Sequence, residues 1–335
     1  MGNVSSPLKY WSTAPMDKIR VGVIGVGYLG QFHAEKYSRM DDVQLIGVVD
    51  TDRARAKEVA AMFGTRAFTD YRELFGQIDA VSIVVPTEYH FAVGADCMNH
   101  DLDVLIEKPM AATLDQADEL IRIAKSRGRV MQIGHLERFN PAVIALDDIV
   151  HDPMFIEAHR LGIFKDRSTD VSVVLDLMIH DIDIIMNVVK AEIKNIHAMG
   201  APVICEHADI ANVRLEFASG CVANVTASRI STKNQRKIRL FQKDAYVSVD
   251  FTSRKITTIR RDGSTACADS LIPGMDIQQL SFSKADVLED ELLSYVQAVR
   301  TRRTPVVSGT AGRKALQVAL SITDQINAAV KPYIS

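Results

Sequence analysis

Four groups of residues in this sequence have the types and spacing to move a proton or hold a charge. The first lies in the segment Val174-Leu175-Asp176-Leu177-Met178-Ile179-His180-Asp181-Ile182-Asp183. In a helix, Asp176 and His180 stand four residues apart on one face. Their neighbours are mostly apolar, so the helix is expected to be buried, where unpaired polar groups are costly. A histidine titrates near neutrality and an adjacent carboxylate orients it, which is what a general base requires. A structural ion pair accounts for the same two residues equally well. The second group is Lys108, after the run Val104-Leu105-Ile106-Glu107 and before Pro109. Proline keeps the preceding residue extended, so the backbone there is stiff. An ammonium at that point can stabilise negative charge on a substrate oxygen, although a lysine at a strand end is also a common solvated surface residue.

The third group is Gly134-His135-Leu136-Glu137-Arg138-Phe139-Asn140-Pro141. Arg138 and Asn140 either line a polar substrate pocket or make ordinary hinge hydrogen bonds. His135 and Glu137 form the His-x-Glu of zinc deaminases, but no Pro-Cys-x-x-Cys follows, so no metal is expected. Last comes a basic cluster, Arg229, Lys233, Arg236, Lys237 and Arg239, in a slightly acidic chain. Such clusters are usually solvated strand faces; a diphosphate on the substrate is the alternative.

These groups need a scaffold, and the order of elements supplies one. Ile19 to Gly25 is a short β-branched run of the kind that forms a buried parallel strand. Gly25-Val26-Gly27-Tyr28-Leu29-Gly30 follows it and opens a helix, and a second strand, Val43 to Asp50, ends twenty residues after Gly30. A lone GxGxxG can be a glycine turn without a ligand; in this context it is the dinucleotide-binding fingerprint. Gly25 permits the turn, Gly27 lets the backbone approach a pyrophosphate, and Gly30 lets helix and strand pack. The helix N-terminus offers amides and a positive dipole end to phosphates. Asp50 would accept hydrogen bonds from ribose hydroxyls and repel a 2′-phosphate, favouring NAD, while Arg53 and Arg55 keep NADP open.

Further strands at Ala80 to Pro86, Asp103 to Pro109 and around 129–134 alternate with helices, one ending at Gly64 and one running from Thr113 to Gly128. That alternation calls for a parallel sheet wrapped by helices. From Ala191 to Arg261 strand follows strand with turn signals at Ser219-Gly220, Lys243-Asp244 and Asp262-Gly263, the pattern of an antiparallel sheet. Helices are expected over 171–190 and 284–302, flanking that sheet, and from Thr310 to about Val330. The fold class is α/β: an N-terminal Rossmann domain, residues 17–139, then an α+β domain, residues 140–309, with a mostly antiparallel sheet, and a closing helix over 310–335.

With 39 Lys and Arg against 42 Asp and Glu, the net charge of −3 argues against a nucleic-acid or acidic-membrane binder. No apolar run approaches the roughly 18 residues of a membrane span. Cys97, Cys205, Cys221 and Cys267 are scattered and form no CxxC pair, as expected of reduced thiols in a cytoplasmic protein. Residues 1–16 lack the pattern of a signal peptide and read as a flexible extension, with Met1 or Met16 as the start. The Asn3 and Asn224 glycosylation triplets carry no meaning without secretion.

Taken together, Gly-Val-Gly-Tyr-Leu-Gly, Glu107-Lys108-Pro109 and the Asp176/His180 pair resemble the Gfo/Idh/MocA family of sugar oxidoreductases. The resemblance runs from about Lys18 to the last helix. It implies that Lys108, Asp176 and His180 form the catalytic group, facing a nicotinamide between the domains, with His180 as base and Asp176 orienting it. It also implies cofactor contacts from Gly25, Gly27, Tyr28, Leu29, Gly30, Asp50, Pro86, Thr87, His90, Glu107 and Lys108. An open sheet face would form a homodimer or homotetramer interface, and the closing helix would pack back on the first domain. Within the family, the motifs at 134–141 and 176–184 are most similar to the bacterial subgroup that oxidises the 3-hydroxyl of UDP-N-acetylglucosamine for lipid A diamino sugars, ahead of an aminotransferase. For that UDP-sugar the substrate contacts would be Arg138, Asn140, His180, Arg229 and Lys233. Dehydrogenation of inositol or a UDP-uronic acid, or a non-catalytic NAD-binding regulator, are the other readings. Met178 stands where many members carry glycine, which would reshape the pocket.

Overall fold

The computed structural model of the chain describes residues 17–164, 171–261, 275–283 and 285–334. The expected extension over 1–16, the Asp262-Gly263 turn and Cys267 lie outside the described residues. In the first half the apolar runs become strands β1 (Ile19–Ile24), β2 (Val43–Val49), β3 (Arg66–Phe68), β4 (Ala80–Ile83), β5 (Asp103–Glu107) and β6 (Met131–Gly134). All pair in parallel, in the order β3-β2-β1-β4-β5-β6. The direction of progression reverses between β1 and β4, and ligands of open α/β sheets bind in the crevice at that switch. Helices α1 (Tyr28–Arg39), α2 (Arg53–Phe63), α3 (Thr87–Asn99) and α4 (Leu114–Arg127) make the crossovers. Asp52 caps α2 and Thr113 caps α4 through first-turn amides, and both helices end in left-handed glycines, Gly64 and Gly128. The three-residue β3 was too short to leave a periodicity in the sequence.

The second half opens with single-turn helices α5 (Pro141–Ile144) and α6 (Leu146–Ile149), then β7 (Phe155–Leu161). A π turn, Val174–Met178, runs straight into α7 (Ile179–Val189). Strands β8 (Ile193–Ala201), β9 (Ile210–Phe217), β10 (Val222–Ser228), β11 (Gln235–Phe241), β12 (Ala245–Asp250), β13 (Lys255–Arg261) and β14 (Met275–Ser281) follow. They form an eight-stranded sheet, β14-β13-β12-β11-β7-β10-β9-β8, antiparallel except where β7 meets β10. One face packs Ile156, Ala158, Val213, Leu215 and Val225 against Ile179, Ile182 and Ile185. Alternate residues of β9 on the other face are exposed.

Two last helices, α8 (Val287–Thr301) and α9 (Gly309–Ile334), change the expected domain plan. Instead of flanking the second sheet, α8 lies on the first, packing Leu292, Tyr295, Val296 and Val299 against Val21, Val23, Tyr37 and Val48. Each large apolar side chain so buried contributes about 1.5–3 kcal/mol. Ion pairs Lys36–Asp286 and Arg300–Asp42 reinforce the docking. The α8 segment, inside the expected 140–309 unit, therefore returns to the dinucleotide half. Helix α9 is wedged between both halves: Leu316 joins the core with Ile133 and Leu120, while Ala315, Ala319, Ile322 and Ile326 join the core of the second sheet.

Candidate active site

The glycine turn sits at the end of β1. Gly25 has φ +84°, and a Cβ at Gly30 would stand 1.8 Å from the Gly25 carbonyl oxygen, so neither position accepts a side chain. Nothing lies within 4 Å of where a Gly27 Cβ would be, and Gly27 begins α1 without a side-chain cap. Open space beside an uncapped helix start fits a pyrophosphate. Tyr28 and Leu29 are exposed on the same turn.

Asp50, just past β2, accepts from the amides of Val26 and Asp52, each at 3.0 Å, which fixes its carboxylate beside the turn. Arg55 is tied down: it donates to the Val26 carbonyl at 2.8 Å, to Gly27 at 3.2 Å and to Gln31 at 2.5 Å, and pairs with Glu58. A guanidinium held this way is not free to receive a 2′-phosphate, which Asp50 repels, so the residues fit NAD. Asp50→Ser is expected to lower the preference for NAD⁺ over NADP⁺ at least about tenfold, read from the two dissociation constants by fluorescence titration.

At the end of β5, Lys108 Nζ donates to the main-chain oxygen of Asp176 at 2.8 Å and lies 3.6 Å from its Oδ1. Thus Asp176 faces Lys108, and the expected Asp176–His180 hydrogen bond is not made; His180 Nδ1 is buried without a partner among the described residues. The physical reason is the π turn, which carries more residues per turn than an α-helix and takes positions 176 and 180 off the α-helical register. Burial, followed by the charges of Lys108, Arg160, His135 and Arg236, holds His180 well below the ordinary histidine value. At neutral pH its imidazole is uncharged. Met178 is fully buried in the second core, so its bulk does not project into the cleft.

Two residues that the family resemblance gives to the cofactor also brace the site from within the fold. Glu107 turns toward α1, with Oε1 3.3 Å from His33 Nε2 and Oε2 accepting the Lys108 amide at 3.2 Å. Burial pushes its carboxyl up, but His33 and Lys108 outweigh that and hold it below the usual range. Glu291 of α8 is fully buried near it and is pushed far up by burial and by the Glu107 charge, so it is a neutral acid. His90 is also buried, its Nδ1 2.9 Å from the Pro109 carbonyl and its Nε2 2.8 Å from that of Val85. It clamps the turn after β5 to the turn after β4, where Pro86 is exposed and Thr87 half-buried at the start of α3.

The proposed substrate contacts fare unevenly. Arg138 makes a two-pronged bond to Asp183 at 2.6 and 3.1 Å. Asn140 is buried, caps α5 by accepting from Ala142 at 3.1 Å, and donates to Glu137. Arg229 is buried against Asp209 and donates to the Val171 carbonyl at 2.5 Å. Each of the three has an internal partner that the sequence does not display. Lys233 is exposed in the turn before β11. Sequence reasoning missed Arg160, whose guanidinium grips Asp181 at 2.7 and 3.0 Å and Glu137 at 2.9 Å. The signal was available: Asp181 sits in an apolar helix beside His180, and a buried carboxylate demands a cation. His135 was set aside with the zinc motif, yet its ring is buried next to this group and neither nitrogen has a partner among the described residues. No cluster that could hold a metal exists among the described residues.

Comparison with known proteins agrees with this architecture. Residues 19–135 match the oxidoreductase family with an NAD-binding Rossmann fold, and residues 149–248 match the GFO/IDH/MocA C-terminal domain. The UDP-N-acetylglucosamine 3-dehydrogenase of Acidithiobacillus ferrooxidans is 39% identical over 314 residues, 93% of this chain and 99% of that protein. Its solved structure superposes with a TM-score of 0.88, covering 93% of this chain and 99% of that one. The myo-inositol 2-dehydrogenase of Thermotoga maritima is 25% identical over 317 residues, 89% of this chain and 93% of that protein. The glycine turn with its fixed aspartate, the Lys108–Asp176 contact beside a neutral histidine, and full-length similarity converge: the chain belongs to the Gfo/Idh/MocA family of NAD-binding oxidoreductases.

Proposed function

We propose that the chain oxidises the 3-hydroxyl of UDP-N-acetylglucosamine to the 3-keto nucleotide sugar. The observation that carries the chemistry is that Lys108, at the carboxyl end of β5, stands close enough to an uncharged His180 of α7 to shift it. NAD, when bound, supplies the acceptor for the hydrogen and electron pair that leave carbon 3. His180 takes the hydroxyl proton through the ring nitrogen opposite its buried Nδ1. Lys108 donates to the same oxygen and stabilises the charge that develops on it. Asp176 positions the Lys108 ammonium rather than the imidazole. Gly27, Tyr28, Leu29 and Asp50 hold the dinucleotide, with Pro86 and Thr87 at the rim. The similarity to the Acidithiobacillus enzyme over nearly the whole chain supports the choice of sugar.

The keto product is of the class an aminotransferase consumes, on a route to the diamino sugars of lipid A. The enzyme works in the cytoplasm as a homodimer or homotetramer built on the exposed face of the eight-stranded sheet. The test is NADH formation from NAD⁺ with UDP-N-acetylglucosamine, a UDP-uronic acid and myo-inositol, with an aminotransferase and glutamate added to remove the ketone. Turnover of the N-acetylglucosamine nucleotide alone is expected. Turnover of inositol alone, or tight NAD binding with no substrate oxidised, would sink the reading.

A further inference from the structure

The cleft contains one guanidinium that the fold leaves without a hydrogen bond among the described residues, that of Arg236. Strand β11 runs antiparallel to β7 and sets Arg236 directly opposite Arg160. Both belong to the face that carries Ile238, Leu240, Ile156 and Ala158 toward the helices. Like charges directly opposed across a ladder repel. Arg160 is compensated, being 3% exposed and bonded to Asp181 and Glu137. Arg236 has the Glu137 carboxylate 3.9 Å away, already engaged by Arg160 and Asn140, and feels that of Asp181, which Arg160 also grips. Its side chain is 56% exposed, so the planar fork of donors opens into the cleft above Asp181, the neighbour of His180. Burial, followed by the Arg160 charge, lowers Arg236 from the ordinary arginine value by more than the Glu137 and Asp181 carboxylates raise it. The charges of Lys108, Arg160 and Arg236 also disfavour protonation of His180. A half-exposed guanidinium whose nearest carboxylate is already held by another arginine has donors left over for an anion, and its fork matches a phosphate.

We propose that Arg236 receives a phosphate of a nucleoside diphosphate sugar, docking the substrate so that its ring reaches His180. This rests on the substrate class argued above, and the experiment separates the two. NAD-loaded wild-type protein, Arg236→Met and Arg236→Lys are titrated with UDP by calorimetry and assayed with UDP-N-acetylglucosamine. In Arg236→Met, UDP binding is expected to weaken and KM to rise by about 10–100-fold, with the loss falling on KM rather than kcat. Lys restores part of the binding, as a point charge in place of a fork. The thermal midpoint of Arg236→Met should not fall, because the repulsion with Arg160 is relieved. A lowered midpoint with unchanged UDP affinity would make Arg236 structural and overturn the proposal. Unchanged UDP affinity and KM in a fully active enzyme would overturn it while leaving the substrate reading intact. UDP binding that depends on Arg236 in a protein inert toward UDP-N-acetylglucosamine supports the phosphate contact and refutes that sugar. Wild-type protein that does not bind UDP overturns both.

Discussion

His180→Ala is expected to reduce kcat/KM by about 10²–10⁴-fold, the usual worth of a positioned base, with the dissociation constant for NAD⁺ little changed. Lys108→Ala should lose a comparable factor, since it removes the donor aimed at the developing oxyanion. The pH profile distinguishes the two. His180 must be neutral to accept a proton, and its folded value lies well below the ordinary one, so wild-type activity is full at neutral pH and falls only as pH drops below about 6.5 through that lowered value. Removing Lys108 removes the largest of the charges that depress His180, so the acid limb of Lys108→Ala should move to higher pH. His180→Ala should lose that limb altogether. Collapse of NAD binding and thermal stability along with turnover would instead make both residues structural.

Arg160→Met is expected to destabilise the fold by about 3–5 kcal/mol, because it leaves the buried Asp181 and the mostly buried Glu137 without the cation that bonds both. Burial already leaves Asp181 above the usual carboxylate range with the arginine in place. Thermal or denaturant unfolding reads the loss, and Arg160→Lys, which keeps the charge but not the fork, should lose less. Adding Asp181→Asn to Arg160→Met should recover part of it, since the second change removes the stranded charge. A change within about 0.5 kcal/mol for Arg160→Met, the range of an unremarkable surface substitution, would show that the network does not hold the cleft together.

The parts of this molecule that were legible in the sequence are those where one local rule decides. Gly25, Gly27 and Gly30 between a β-branched run and a helix admit one geometry, and Asp50 follows at the spacing that geometry sets. Thr113 and Gly128 bracket α4 as cap and stop. What escaped was decided by partners remote in sequence. Strand β7 was missed because Arg160 occupies an inward position and breaks the alternation that marks a half-buried strand. Strand β14 was missed because it lacks a buried face. The apolar face of α8 is plain in the sequence, but which of two sheets it would cover is not. Asp176 was expected to serve His180 because spacing of four implies an α-helix, and the π turn with Lys108 waiting opposite reassigned it. The expectations for Glu107 and His90 came from resemblance alone, and the sequence displays neither the His33 contact of the one nor the two carbonyls that hold the other.

The position of α9 has a consequence for how the chain acquires its structure. The Ile133 amide of β6 donates a hydrogen bond to the Val307 carbonyl, and the core around Ile133 is completed by Val307 and Leu316. Residues 19–134 thus emerge from the ribosome long before the segment that finishes their hydrophobic core. Contacts of such sequence separation close slowly. During synthesis the edge at β6 stands open, and chaperones would find Met131 and Ile133 uncovered until residues 307–326 arrive. The dinucleotide half should therefore fold poorly when expressed alone, and nascent chains arrested before 307 should remain sensitive to protease.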